Sequence, residues 1–193
     1  VFYVRKQKLF KMSVLVYIPT NSGQATKSGL EAASFASALA SGEVSAVVSG
    51  DLSGDGGLGA VGVTKVLHYS TELNDNSQLA RLVESAVTTT GATTIVFSGN
   101  LEGGAIAPRV AVRLGAGYVP GIIELPEGGT FSRNVFSGKA KASVSVSADK
   151  TVLGLTPNAY GVKGTGGGDA SVEAFSAEVG ESKISFGDFK PSS

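Results

Sequence analysis

The chain has 193 residues, enough for one domain with a sizeable core, and apolar residues make up 42% of it, too many for a disordered segment. Lys and Arg balance Asp and Glu at 16 each, so the overall basic excess of a nucleic-acid binder is missing. There is no Cys, which excludes disulfides, thiolate catalysis and thiolate metal or iron–sulfur sites.

Residues 1–12 read as an N-terminal extension in which residues 1–11 stand upstream of a start at Met12. Arg5, Lys6, Lys8 and Lys11 stand there without an acid, so the remainder carries a net charge of −4, with 12 bases against 16 acids. A short edge strand over Val1–Val4 is the alternative. Ser13–Ile18 is a nearly continuous apolar run, as a strand covered on both faces would be. Thr26–Ala40 predicts a helix with Thr26 as N-cap, stopped by Gly42. Glu43–Val48 and Lys65–Ser70 are the next strands. Asn76–Thr89 is amphipathic, with Leu79, Leu82, Val83, Ala86 and Val87 on one face and Gly91 as its stop. Thr93–Ser98, a helix over Gly104–Leu114 and a strand over Tyr118–Leu125 complete the alternation. Pro108 is expected in or near the first helical turn.

Strands alternating with helices predict an α/β fold of three layers around a mostly parallel sheet. After Pro126 the pattern changes. Phe131–Ala148 and Lys150–Thr156 predict a long antiparallel hairpin, with Lys139, Lys141, Ser143 and Ser145 on one face of its first arm. Gly164–Gly168 reads as a flexible run and Ser182–Phe189 as a last edge strand. The division expected is a parallel core over 13–125 and an antiparallel addition over 131–189, one domain together, with 190–193 as a linker start or ragged end.

Several segments imitate sites. Gly57-Leu-Gly59-Ala-Val-Gly62 has G-x-G-x-x-G spacing, but a strand-like segment follows where the dinucleotide fingerprint needs a helix. Asp51, Ser53 and Asp55 resemble the start of a calcium loop whose twelfth position is Gly62 instead of Glu. His68 is the only histidine and has no triad motif around it. No catalytic residue and no metal ligand is assigned.

Ser98, Gly99, Asn100, Gly103 and Gly104 form a Gly-rich strand-to-helix turn. Such turns can aim free backbone N–H groups at an anion. Glu102 opposes that use, so the turn is the candidate for a vestigial nucleotide or anion loop.

The stretch SGNLEGGAIAPRVAVRLGAGYVPG from Ser98, with Gly62-Val-Thr-Lys-Val-Leu-His68, Asn134-Val-Phe-Ser-Gly-Lys-Ala140 and Leu155-Thr-Pro-Asn-Ala-Tyr-Gly161, resembles the N-terminal domain of the electron transfer flavoprotein alpha subunit. The resemblance spans about Ser13 to Phe189. It implies a sheet of the adenine-nucleotide alpha-hydrolase-like type. It also implies a scaffold and subunit-interface domain, not an enzyme, within a heterodimer with the beta subunit. The complete subunit would carry electrons on FAD from dehydrogenases to a quinone reductase or another acceptor. FAD is not expected in this chain, because the family's flavin-domain motifs are missing after Phe189. AMP or a second FAD belongs to the partner beta subunit. The implied location is cytoplasmic, or the mitochondrial matrix in a eukaryote, with no membrane insertion and no nucleic acid. Charge changes at Arg109 or Arg113 are expected to disturb assembly before redox potential. The alternative is a free-standing adenine-nucleotide-binding domain using the Ser98–Gly104 loop.

Overall fold

In a computed structural model, residues 13–185 and Gly187 are described. The first strand, β1 (Val14–Tyr17), lies in the interior of a nine-stranded sheet. Its side chains alternate between two cores, with Val14 and Val16 on one face and Leu15 and Tyr17 on the other. A small hairpin follows, β2 (Thr20–Asn21) and β3 (Gln24–Ala25). Next come helix α1 (Lys27–Leu39), β4 (Val44–Ser49), a 3-10 turn over Gly59–Val61 and β5 (Lys65–Tyr69). Helix α2 (Asn76–Thr90) leads to β6 (Thr94–Ser98), and helix α3 (Leu101–Leu114) to β7 (Gly117–Ile122). The remaining strands are β8 (Phe131–Val135), β9 (Ala140–Val144), β10 (Thr151–Leu155) and β11 (Ser171–Ala174).

The strand order is β11-β5-β4-β1-β6-β10-β7-β8-β9, parallel from β11 to β7 and antiparallel from β7 to β9. Helix α1 packs on one face through Ala32, Phe35 and Ala36, and α2 and α3 cover the other through Leu79, Leu82, Val83, Ile106 and Val110. The expected three-layer, mostly parallel α/β architecture is therefore present.

Local signals explain the helix ends. Thr26 Oγ1 accepts the Gly29 N–H at 3.2 Å, as a Thr N-cap should. Gly91 closes α2 in the left-handed region, at φ 66°. Helix α1 ends at Leu39, before Gly42, because Ala40 is already extended. Helix α3 begins at Leu101, three residues before the expected start. Asn100 caps it, accepting the Gly103 N–H at 2.8 Å. Pro108 consequently stands at the eighth helical position, outside the first turn, and removes the hydrogen bond that Gly104 would otherwise accept.

The antiparallel hairpin exists, but not between the strands expected. Phe131–Val135 turns back through Phe136, Ser137 and Gly138, all at positive φ, and pairs with Ala140–Val144. The segment Thr151–Leu155 leaves the hairpin and inserts between β6 and β7, parallel to both. Its sequence TVLGL is buried from Val152 onward, the signature of an interior parallel strand. Alternation along 139–148 could not reveal this, because it reports which side chains share a face and not which strand lies alongside. The anticipated last strand over Ser182–Phe189 is not formed at residues 182–185, and its end lies outside the described residues. The far edge is instead β11, beside β5.

Candidate functional site

The order of the sheet reverses at β1. From β1 the chain moves through α1 to β4 and β5 on one side, and α2 carries it back to β6 on the other. In open α/β sheets the crevice beyond the strand ends at such a reversal is the usual ligand site. A crevice of about 410 Å³ opens here, lined by Tyr17 at the end of β1, Ser49, Gly50 and Asp51 after β4, Glu72 before α2 and Glu102 in the first turn of α3.

Among the described residues three carboxylates line this crevice and no Lys, Arg or His does. The Tyr17 O–H donates to Glu102 Oε1 at 2.6 Å. Burial, then the adjacent Glu102 carboxylate, push the Tyr17 phenol far above its ordinary range, so it remains a donor. The positive end of α3 is thus faced by the chain's own carboxylate.

The Ser98–Gly104 turn borders the crevice, and the N–H groups of its three glycines are committed. The Gly99 N–H donates to Leu155 O at 2.6 Å, the Gly103 N–H to the Asn100 side chain, and the Gly104 N–H to Asn100 O at 2.8 Å. Asn100 Nδ2 reaches Ser28 Oγ at 3.4 Å, tying the turn to α1. Glycine here serves packing. A Cβ on Gly103 would run into the Ser98 carbonyl oxygen, and one on Gly99 would lie 2.7 Å from Leu155 O. Ser98 Oγ is buried without a hydrogen-bond partner among the described residues.

The other sequence candidates have local tasks. Gly57–Gly62 forms the short 3-10 turn and runs into β5 without a helix. Gly59 lies against the backbone of 168–170, where an added Cβ would come within 2.6 Å of Ala170 N. The Asp55 carboxylate accepts N–H groups from Gly57, Gly59 and Ala170 at 2.8–2.9 Å. Partial burial pushes its pKa up, but these donors outweigh that and hold it below the usual carboxylate range. Asp55 therefore staples one Gly-rich loop to the other, and the Gly164–Gly168 run is anchored by Thr165 N–H on Ala60 O at 2.9 Å. Among the described residues no group of three acids or histidines is placed to hold a metal. His68 Nε2 lies 2.7 Å from Gly50 O and joins β5 to the loop after β4. Lys139 lies over the Phe136 ring, and Lys141 pairs with Glu124 at 3.3 Å on the exposed hairpin.

Sequence reasoning missed Glu31. It is buried at 4% exposure on α1, and its carboxylate accepts the N–H groups of Asn158, Tyr160 and Gly161 at 2.8–2.9 Å. Ser34 Oγ accepts the Lys163 N–H at 3.0 Å, and the Tyr160 ring meets Phe35 edge-on. The signal was present: one acid among Ala, Ser and Phe on a helix, with a Pro-Asn turn far downstream. A second such residue is Asp75, the N-cap of α2. Its carboxylate accepts from Ser77 N at 2.7 Å, Lys183 N at 3.1 Å and Ser182 Oγ at 3.3 Å, and these bonds, the one to Ser77 first, lower its pKa to about 2.

A family model described as the electron transfer flavoprotein domain matches residues 14–179. No curated protein matches the chain.

Proposed function

Because the chain belongs to the electron transfer flavoprotein domain family, we propose that it is the N-terminal scaffold and subunit-interface domain of an alpha subunit. Proteins of this family carry electrons and do not catalyse a reaction of their own. In this reading the domain holds its beta partner and the flavin-bearing part of the assembly in place. FAD in the complete subunit receives electrons from a dehydrogenase, and AMP or a second FAD sits in the partner.

The observation that carries this reading is the crevice at the sheet reversal. A nucleotide needs donors or cations facing its phosphates. The crevice presents Asp51, Glu72 and Glu102 among neutral side chains such as Asn21, Asn74 and Asn76, and the adjoining turn spends the N–H groups of its three glycines on Leu155 and Asn100. Three carboxylates around one opening do not fit a phosphate or a pyrophosphate. A subunit whose crevice disfavours nucleotide suits the supporting role better than the nucleotide-holding one. The Ser98–Gly104 turn then acts as a brace between β6, β10 and α1. Among the described residues no helix is long and apolar enough to cross a membrane.

Calorimetric titration of the chain with AMP tests the reading directly, together with co-expression beside a beta-type subunit. The expected result is no saturable heat with AMP and a stable complex with the subunit. Micromolar AMP binding that disappears in Asn100→Ala would overturn it in favour of a nucleotide-binding domain.

A further inference from the structure

The outer face of α3 is left bare by everything described above. Leu101 and Val112 are 94% and 83% exposed, while Ile106, Ala107 and Val110 on the opposite side fill the core. Ala105 and Pro108 lie between the two exposed residues. The spacing 101, 105, 108, 112 brings all four within an arc of about 60°, at about 100° per residue. This four-three-four spacing is that of a coiled-coil seam. Two shallow grooves of about 490 and 510 Å³ run beside the stripe, and Ser77 and Ala80 of α2 form the far wall of the first.

The charges beside the stripe are ordered along the helix. Glu102, Arg109 and Arg113 fall on one flank, acid at the N-terminal end and bases toward the C-terminal end; Glu102 accepts the Tyr17 O–H on Oε1 and keeps its second oxygen for another donor. Arg113 is held by Glu84 at 2.6 Å. Arg109 bonds only back to Ala105 O, at 2.7 Å, and is in no ion pair among the described residues.

Turning a second α3 antiparallel on this stripe sets Leu101 against Val112 and Ala105 against Pro108. Same-flank residues then meet, so Glu102 of each copy comes beside Arg109 of the other. A parallel pair would bring opposite flanks together and set Arg109 beside the uncharged flank of Gly104 and Ala111, with no carboxylate to meet. The small side chains in the middle let the axes approach. The stripe is thus complementary to itself in one orientation only, as a two-fold interface requires.

We infer that two copies of this chain associate about a two-fold axis by antiparallel packing of α3 on α3 across the Leu101–Val112 stripe. This pairing goes beyond the alpha-subunit reading and does not depend on it, since it involves neither a beta partner nor a nucleotide.

Sedimentation equilibrium on the purified 193-residue chain tests it. The expected result is a monomer–dimer equilibrium that weakens at least about tenfold in Val112→Asp and in Arg109→Glu, both at exposed positions. Mixing Arg109→Glu chains with Glu102→Arg chains brings opposite charges together at both contacts and should restore the dimer that each variant alone has lost. Monomer mass up to about 1 mM would overturn the inference. So would a dimer indifferent to Val112→Asp and Arg109→Glu, or a mixture of folded variants that fails to recover. If Glu102→Arg does not fold, the other two variants decide the matter.

Discussion

The two sides of the sheet are covered in different ways. On one side α1 is itself covered: residues 158–163 lie across it, fastened by Glu31 and Ser34, and Tyr160 rests on Phe35. On the other side α3 buries its inner face equally well but leaves Leu101 and Val112 in solvent. One helix is interior on nearly every side and the other ends at a surface. Buried polar groups must find partners inside the chain, and the α1 side has them. An exposed apolar stripe needs none to fold, and can be kept for another surface.

Substitutions should therefore be costly on the first side and nearly silent on the second. The largest effect is expected for Glu31→Ala, which removes a buried carboxylate and with it the acceptor of three backbone N–H groups on a half-exposed turn. Water can reach those donors once the carboxylate is gone, so a loss of about 1.5–3 kcal/mol, the worth of hydrogen bonding to a charged group, should appear in the urea midpoint. A loss below about 1 kcal/mol would mean that residues 158–161 are not fastened by this carboxylate.

Asn100→Ala, at the boundary between the two sides, should cost about 1 kcal/mol by the same measurement, the usual value of a helix N-cap. It should also loosen the Ser98–Gly104 turn, detectable as faster amide exchange at Gly103.

Asp75→Asn sharpens the picture on the α2 side through pH. The folded pKa of Asp75 is lowered to about 2 from an ordinary 3.8, so the charged form is favoured by folding. Its contribution is present above pH 3.8 and is lost as pH falls toward 2. Wild type should be the more stable at pH 6, with the gap to Asp75→Asn closing over that interval. A gap independent of pH would show that the carboxylate charge is irrelevant to holding Ser182 and Lys183.

The smallest effect on folding is expected for Val112→Asp, within about 0.5 kcal/mol, because the side chain is already in water. A large loss there would erase the contrast between the two helices.

Much of this molecule follows from local chemistry. The apolar run at Ser13–Ile18, the one-sided periodicity of Asn76–Thr89, the Thr26 cap and the Gly91 stop each state their own burial or end. Alternating strands and helices then leave a mostly parallel three-layer fold as the solution. The family is legible from short stretches spread along the chain, confirmed by the match over residues 14–179. Tertiary structure alone decided that Thr151–Leu155 enters the sheet between β6 and β7, that Gly103 is needed to clear the Ser98 carbonyl, and that Glu31 holds a turn more than a hundred residues away. It also showed that Gly99 and Gly103 let the backbone of the turn pass close to Leu155 and Ser98. The division has one physical cause. Periodicity and caps depend on neighbours within a few residues. Strand partners, buried acceptors and close backbone approaches depend on groups that only the folded chain brings together.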